Sequence, residues 1–310
     1  MQLFDRVPSI NFMGPRRAAV AVSIVAIVIS ISALVTRGLE LGLDFTGGVL
    51  IEVGYDQPAD LENVRAVLNG EGLPGAIVQN FGTASEVLIR LPPLEGDEEG
   101  SDLGVRVMAA LRAADASVVD RRIEFVGPQI GEDLVENGGL AMLFVLLFVF
   151  VYIVLRFRWK FAAGAISALA HDVIITFGFF AIVGLEFDQS VLAAVLAVIG
   201  YSLNDTIVVY DRIRENFRLM RRGTAEAIVN TSINQTLSRT IITGITTLLV
   251  LVALLLLGGE TVEGFSIALI VGIIVGTYSS IYVASAAALF LDVSPMDLVP
   301  PKREEIDEMP

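Results

Sequence analysis

VLAAVLAVIGYSLNDTIVVY, Val191–Tyr210, is long enough and apolar enough to cross a bilayer, yet it carries Asp205. About 20 apolar residues span the hydrocarbon core. A carboxylate at the centre of such a helix costs roughly 2.5–3.5 kcal/mol on insertion scales, so it faces protein or a water-filled path. Asp205 lies seven residues before Arg212, about 10 Å inside the interface by helical rise. Tyr201 and Ser202 fall one turn earlier on the same face, and Asn204 and Thr206 flank it.

The neighbouring apolar stretches are also polar in places. Arg239 opens the next one, followed by Thr243, Thr246 and Thr247 at helical spacing. His171 and Asp172 sit in the middle of the preceding one, about 16 Å along it. Ionisable groups on three adjacent spans are what a proton or ion relay needs. The sequence places Asp205 and Arg239 at similar depth, where they can meet. An arginine partner favours the charged carboxylate and burial without one favours the protonated form, so helix movement between these states would take up and release a proton. For Asp205 a structural interhelical hydrogen bond is the competing reading, for Arg239 an interfacial anchor, and for His171 and Asp172 packing.

The whole chain fits this setting. Of 310 residues 54% are hydrophobic, with mean hydropathy +0.71. That composition indicates a multi-span membrane protein. Six spans are expected, at Ala18–Thr36, Leu140–Leu155, Phe161–Val183, Val191–Tyr210, Ile241–Leu257 and Phe265–Leu291. The first follows Arg16 and Arg17 but exceeds a signal-peptide core, so it reads as an uncleaved anchor. Gly272 and Gly276 in the sixth form a G-x-x-x-G expected to pack within the bundle.

Arginine and lysine set the orientation. Arg6, Arg16 and Arg17 precede the first span; Arg156, Arg158 and Lys160 follow the second; Arg212, Arg214, Arg218, Arg221 and Arg222 follow the fourth. The opposite connections hold Glu186, Asp188, Glu260 and Glu263. Both termini are therefore expected in the cytoplasm. The expected organisation is a cytoplasmic start and first span over 1–36, an outer (periplasmic) domain over 37–135, spans two to six over 136–291, and a cytoplasmic tail over 292–310. The arginine-rich loop 211–238 reads as a helical hairpin on the cytoplasmic surface.

The outer segment alternates strand and helix signals: Val49–Tyr55, a helix opened by Pro58, Ala76–Phe81, Glu86–Leu91, a loop over Pro92–Gly100, a helix over Leu103–Ala113 and a strand over Ser117–Val126. The order β-α-β-β-α-β predicts a ferredoxin-like α+β fold. Net charge is −14, which gives no basic face for nucleic acid. With no cysteine and a single histidine, disulfides, thiol chemistry and multi-histidine metal sites are excluded. No nucleophile–base set stands outside the membrane, so neither an enzyme nor a cofactor or metal is expected.

Several motifs carry a resemblance. GLDFTGG (Gly42–Gly48), FVGPQIGEDL (Phe125–Leu134), ALAHD (Ala168–Asp172), GYSLNDTIVVYDRIREN (Gly200–Asn216) and LSRT (Leu237–Thr240) resemble the SecD/SecF translocase family, a branch of the RND transporter superfamily. The likeness runs over about residues 1–298 and leaves the acidic tail KREEIDEMP unmatched. Six spans with one small outer domain resemble the SecF-type subunit, not the SecD type with its larger outer domain. Tyr210 stands where phenylalanine is often expected.

The resemblance implies a bacterial inner-membrane protein of the Sec pathway. It implies that the chain pairs with a SecD-like subunit, associates with a SecYEG channel and uses proton flow to assist preprotein export. It makes Asp205 the carboxylate of an NDT motif (Asn204, Asp205, Thr206) and Arg239 the arginine of an SRT motif, the pair carrying proton coupling. His171, Asp172, Thr243 and Thr247 become relay or packing candidates. Asp44, Phe45, Thr46, Gly47 and Gly48 become the signature that opens the outer domain. Two alternatives stand beside it: half of an RND-type exporter of lipids or small hydrophobic molecules, which would want a second repeat, and a purely structural assembly subunit.

The orientation is directly testable: reporter fusions at Gly96 should be external, and fusions at Gly223 and after Arg303 internal. An external Gly223 fusion would rule out the six-span arrangement.

Overall fold

The computed structural model describes residues 7–73, 75–92, 100–220 and 223–293. The chain runs α1 (Arg16–Thr36), β1 (Glu40–Leu41), α2 (Leu43–Thr46), β2 (Gly48–Gly54), α3 (Leu61–Gly70), β3 (Ile77–Phe81), β4 (Thr83–Leu91), α4 (Gly100–Ala114) and β5 (Val119–Val126). There follow α5 (Pro128–Arg156), α6 (Trp159–Val183), β6 (Glu186–Phe187), α7 (Gln189–Leu219), α8 (Ala225–Leu257), α9 (Glu263–Ser279), a π-helical turn (Ser280–Ala284) and α10 (Ser285–Phe290). Among the described residues six helices are long and apolar enough to cross a membrane: α1, α5, α6, α7, α8 and the α9–α10 run. The acidic tail, most of the Pro92–Gly100 loop, and Arg6, Arg221 and Arg222 lie outside the described residues.

Residues Leu39–Phe144 with Leu185–Leu192 form one compact unit. Its sheet has the order β3-β4-β2-β5 with every pair antiparallel, the arrangement of a split βαβ fold. The alternation in β2 buries Val49, Ile51 and Val53, which face Val87, Ile89 and Leu91 of β4 and the apolar stripes Val64/Leu68 of α3 and Leu103/Val107/Leu111 of α4. Asp60 caps α3 by accepting from the backbone N–H groups of Glu62 and Asn63 at 3.0 and 3.3 Å, so that helix begins after the expected Pro58. β4 starts at Thr83, three residues before the expected Glu86.

A second, two-stranded sheet has no counterpart in the sequence reading. β1 pairs in parallel with β6, Glu40 opposite Glu186 and Leu41 opposite Phe187. Arg90 of β4 forms an ion pair with Glu186, which ties the four-stranded sheet to the connection between α6 and α7.

The other unit comprises residues 1–38, 145–184 and 193–310. Its core is made of α1, α6, α7, α8 and the α9–α10 run. Small residues set the spacing: a Cβ at Gly178 of α6 would fall 2.2 Å from Ser30 Cβ of α1, and one at Gly272 of α9 would fall 2.2 Å from Val198 Cγ2 of α7. The G-x-x-x-G face therefore packs inside the bundle. Phe148 and Leu155 of α5 and Leu249, Val250, Leu256 and Leu257 of α8 point outward, as side chains facing hydrocarbon do.

Loop 211–238 is helical on both sides of a short turn, and its two arms are continuations of spans. α7 continues to Leu219 and α8 begins at Ala225, so most of that stretch prolongs two spans. The prolongations are zipped by polar contacts: Asn216 Nδ2 donates to Ser232 Oγ and Gln235 Oε1, both at 2.8 Å, and Arg212 Nε donates to Gln235 Oε1 at 2.7 Å. On α8, Asn230 and Asn234 also grip the segment ahead of α1, accepting from Phe12 N at 2.7 Å and Ile10 N at 2.9 Å.

A fragment of about residues 40–132 should fold by itself with mixed α/β circular dichroism and a cooperative melt. Ile89→Ala, which empties a fully buried site opposite Ile51, should cost about 2–5 kcal/mol in urea unfolding of that fragment. A random-coil spectrum would show that the sheet depends on the spans.

Candidate functional site: two carboxylates on adjacent serines

Asp172 of α6 and Asp205 of α7 are both buried. Each is held by hydroxyl groups from other helices. Asp172 Oδ2 accepts from Ser202 Oγ of α7 at 2.5 Å and from Ser279 Oγ of α9 at 2.8 Å. Asp205 Oδ1 accepts from Thr240 Oγ1 of α8 at 2.7 Å, and Oδ2 from Ser280 Oγ at 2.5 Å. Ser202 and Asp205 are i and i+3 on one helix; Ser279 and Ser280 are consecutive. The two carboxylates thus head two neighbouring hydroxyl clusters, joined through the backbone at Ser279–Ser280, that draw on α6, α7, α8 and the sixth span.

Close approach makes this possible. Gly276 lies one turn before Ser280, and a Cβ there would sit 3.0 Å from Ser202 Cβ and 3.5 Å from Asp172 Oδ2. The helix then changes pitch at Ser280, entering the π-helical turn. Such turns are rare and are frequently found at functional sites. Here the adjacent hydroxyls Ser279 and Ser280 serve different carboxylates. Tyr210 closes the far end of the turn by donating to the Ala284 carbonyl at 2.8 Å. Gly164 leaves room for its hydroxyl, from which a Cβ there would lie 2.3 Å. The phenol oxygen that sets this residue apart from phenylalanine thus has a defined partner.

The remaining sequence candidates are placed as follows. His171 Nδ1 is 2.9 Å from Asp172 Oδ1, its ring stacks on Tyr278 with centroids 6.1 Å apart, and its buried Nε2 has no partner among the described residues. Thr206 is buried, and its hydroxyl also has none among them. Asn204 is exposed. Arg239 and Asp205 do not form an ion pair: Arg239 is exposed on α8, acting on Asp205 by Coulombic attraction only, while the next residue, Thr240, makes the direct contact. One helical position turns a side chain by about 100°, which separates them. Thr243 and Thr247 bond back to Arg239 O and Thr243 O at 2.9 Å on their own helix, so they do not extend the network. Sequence reasoning missed Thr240, Ser279 and Ser280. The available signal was SSIYVAS (Ser279–Ser285), a cluster of hydroxyls in an apolar span.

The GLDFTGG stretch builds a different junction. Within it, Leu43–Thr46 form one turn of helix, α2, between β1 and β2. Gly47 and Gly48 have φ of +67° and +121°, and a Cβ on Gly48 would lie 2.2 Å from the Leu91 carbonyl oxygen; only glycine fits. Asp44 Oδ2 accepts from Gln189 N, the first N–H of α7, at 3.0 Å, and Asp188 Oδ1 accepts from Val191 N at 2.8 Å. Two carboxylates therefore cap the helix that carries Asp205. Phe45 stacks on Phe187 at 6.0 Å, and Thr46 Oγ1 donates to the Gly42 carbonyl at 3.1 Å.

The family model for the C-terminal part of the protein export membrane proteins SecD/SecF matches residues 106–294, and that for the SecD/SecF GG motif matches residues 32–59. This chain belongs to the SecD/SecF protein-export family. Among SecD/SecF relatives, it is 51% identical to the protein translocase subunit SecF of Vibrio alginolyticus, over 100% of this chain and 99% of that one. It is 44% identical to SecF of Escherichia coli O157:H7, over 95% and 92%. Its backbone is similar to SecDF, a translocon-associated membrane protein from Thermus thermophilus, with a TM-score of 0.82 and 41% identity. The match covers 94% of this chain but 40% of the SecDF chain. A SecDF structure in a super-membrane-facing form gives a TM-score of 0.70 with the same coverage. By family the chain is a multi-pass membrane protein of the protein-translocation machinery.

Gly272→Ala should separate α9 from α7 and lower thermal stability in detergent by about 1–3 kcal/mol. The added methyl would meet Val198, a fully buried side chain on the facing helix. An unchanged melting temperature would contradict this packing.

Proposed function

We propose that the chain is a SecF-type subunit of a bacterial inner-membrane translocase, in which proton flow through the Asp205 site drives movement of the outer domain and so assists preprotein export. The observation that carries this reading is the buried Asp205 carboxylate. Among the described residues it is bonded only to neutral hydroxyls, and it lies within Coulombic reach of Arg239. Hydroxyls serve either protonation state, because they donate to a carboxylate and accept from a carboxylic acid. Asp172, bonded to Ser202 and Ser279, is the adjoining station.

α7 supplies a route from this site to the GG motif. It is one helix whose first N–H is capped by Asp44, with Asp205 about 24 Å further along by helical rise. Arg239 and Asn204 are exposed within spans, and polar groups at such depth require a protein-lined environment. A SecD-like subunit is the proposed cover, in keeping with the larger SecDF chain that the structure resembles. A SecYEG channel and the translocating preprotein are the proposed working partners. The periplasmic placement of 37–135 and the cytoplasmic termini follow from the arginine bias.

A magnitude limits the mechanism. One charge crossing 100 mV releases about 2.3 kcal/mol, whereas turning a two-state equilibrium from 1:99 to 99:1 takes about 5.5 kcal/mol. A single proton biases the outer domain; a pH gradient or a second proton completes the switch.

In the reconstituted complex, Asp205→Asn should abolish gradient-stimulated export and proton flux while assembly persists, Arg239→Met should do likewise, and Asp205→Glu should retain part of both. Asp44→Ala should weaken gradient stimulation and Asp44→Asn, which still caps, should largely keep it. Normal gradient-driven export by a fully assembled Asp205→Asn complex would leave the carboxylate a packing element and support the structural-subunit reading.

A further inference from the structure

At the ends of α5 and α7 the structure holds a cavity of about 370 Å³ lined by Arg156, Asp211, Arg214, Glu215, Arg218 and Leu219. Its charges do not cancel. Asp211 serves two cations, Arg156 Nη2 at 2.9 and 3.0 Å from its two oxygens and Arg214 Nη1 at 3.4 Å from Oδ1. Glu215 is committed to Arg212 at 2.6 Å. Arg218 takes part in none of these ion pairs. Three guanidiniums against two carboxylates leave one positive charge in excess even before Arg212 is counted.

The cations are also arranged against the helix's own stability. Arg214 and Arg218 are i and i+4 on α7, a spacing at which like charges destabilise a helix. Arg156 and Arg214 lie 5.2 and 5.5 Å from the centroid of the same ring, Phe157, which fixes two otherwise flexible side chains beside each other. An anion would relieve the repulsion, and paired guanidiniums match the oxygens of a phosphate.

The surroundings specify which phosphate. Leu155 is 82% exposed, Trp159 64% and Leu219 69%, all at or beside the ends of candidate spans. Leu219 lines the pocket itself, and Leu155 and Trp159 stand one residue before and three after its Arg156; a cationic pocket with exposed apolar and aromatic neighbours at span ends lies at the level of lipid headgroups. A free phosphate ion has no use for those apolar neighbours. We propose that this pocket binds the headgroup of an anionic phospholipid, with Arg214 and Arg218 on the phosphodiester and the acyl chains along Leu155 and Trp159.

The test is a titration of the full-length protein in detergent with dioleoylphosphatidylglycerol or dioleoylphosphatidylcholine, bound lipid being counted by native mass spectrometry. Phosphatidylglycerol should be retained in preference to phosphatidylcholine. R218Q, which alters a side chain outside the cluster's ion pairs, should weaken retention about fivefold, and R214Q/R218Q about 25-fold. R214K/R218K, which keeps the charge and loses the fork, should fall between wild type and R214Q/R218Q, and R122Q in the outer domain should leave retention unchanged. Equal retention of the two lipids, or phosphatidylglycerol retention unaltered in R218Q and R214Q/R218Q, would overturn the proposal. Displacement of the lipid by equimolar inorganic phosphate would overturn it too, by making the pocket a free-anion site.

Discussion

The bundle is organised around one constraint: a carboxylate buried among apolar helices must have donors, and nearly all other groups there are hydrocarbon. Asp205 and Asp172 meet it with serine and threonine hydroxyls from three other helices. A serine hydroxyl reaches only a short distance from its backbone, so the helices have to approach closely. That requirement explains Gly272 and Gly276 facing α7, and it explains why the sixth span takes a π-helical turn at Ser280. Losing one of these hydroxyls would leave a buried carboxyl group one hydrogen bond short, which costs more than the missing contact itself.

A related constraint operates at the GG motif. Two glycines with positive φ let β2 begin against the Leu91 carbonyl, and the turn before them presents Asp44 to the first N–H of α7. The parallel pairing of β1 with β6 and the Arg90–Glu186 ion pair hold that junction from the side. The capping is local electrostatics at a helix end, worth roughly 0.3–1 kcal/mol for each carboxylate. Its significance lies in which helix is capped, the one that bears Asp205.

Much of this was legible from the sequence. Six apolar runs, the strand and helix alternation of the outer segment, the arginine bias and the buried acids follow from hydropathy and side-chain period, because each is a property of a few consecutive residues. The GLDFTGG and NDT stretches marked where the chain departs from plain packing. Tertiary structure alone decided the partners. Whether Arg239 or Thr240 reaches Asp205 depends on about 100° of helix rotation, which no local pattern fixes. Residues 145 positions apart, Asp44 and Gln189, meet because the α6–α7 connection returns to the root of the sheet. Ser279 and Ser280 looked like ordinary small residues of an apolar span until the close approach of the sixth span to α6 and α7 set them against two carboxylates.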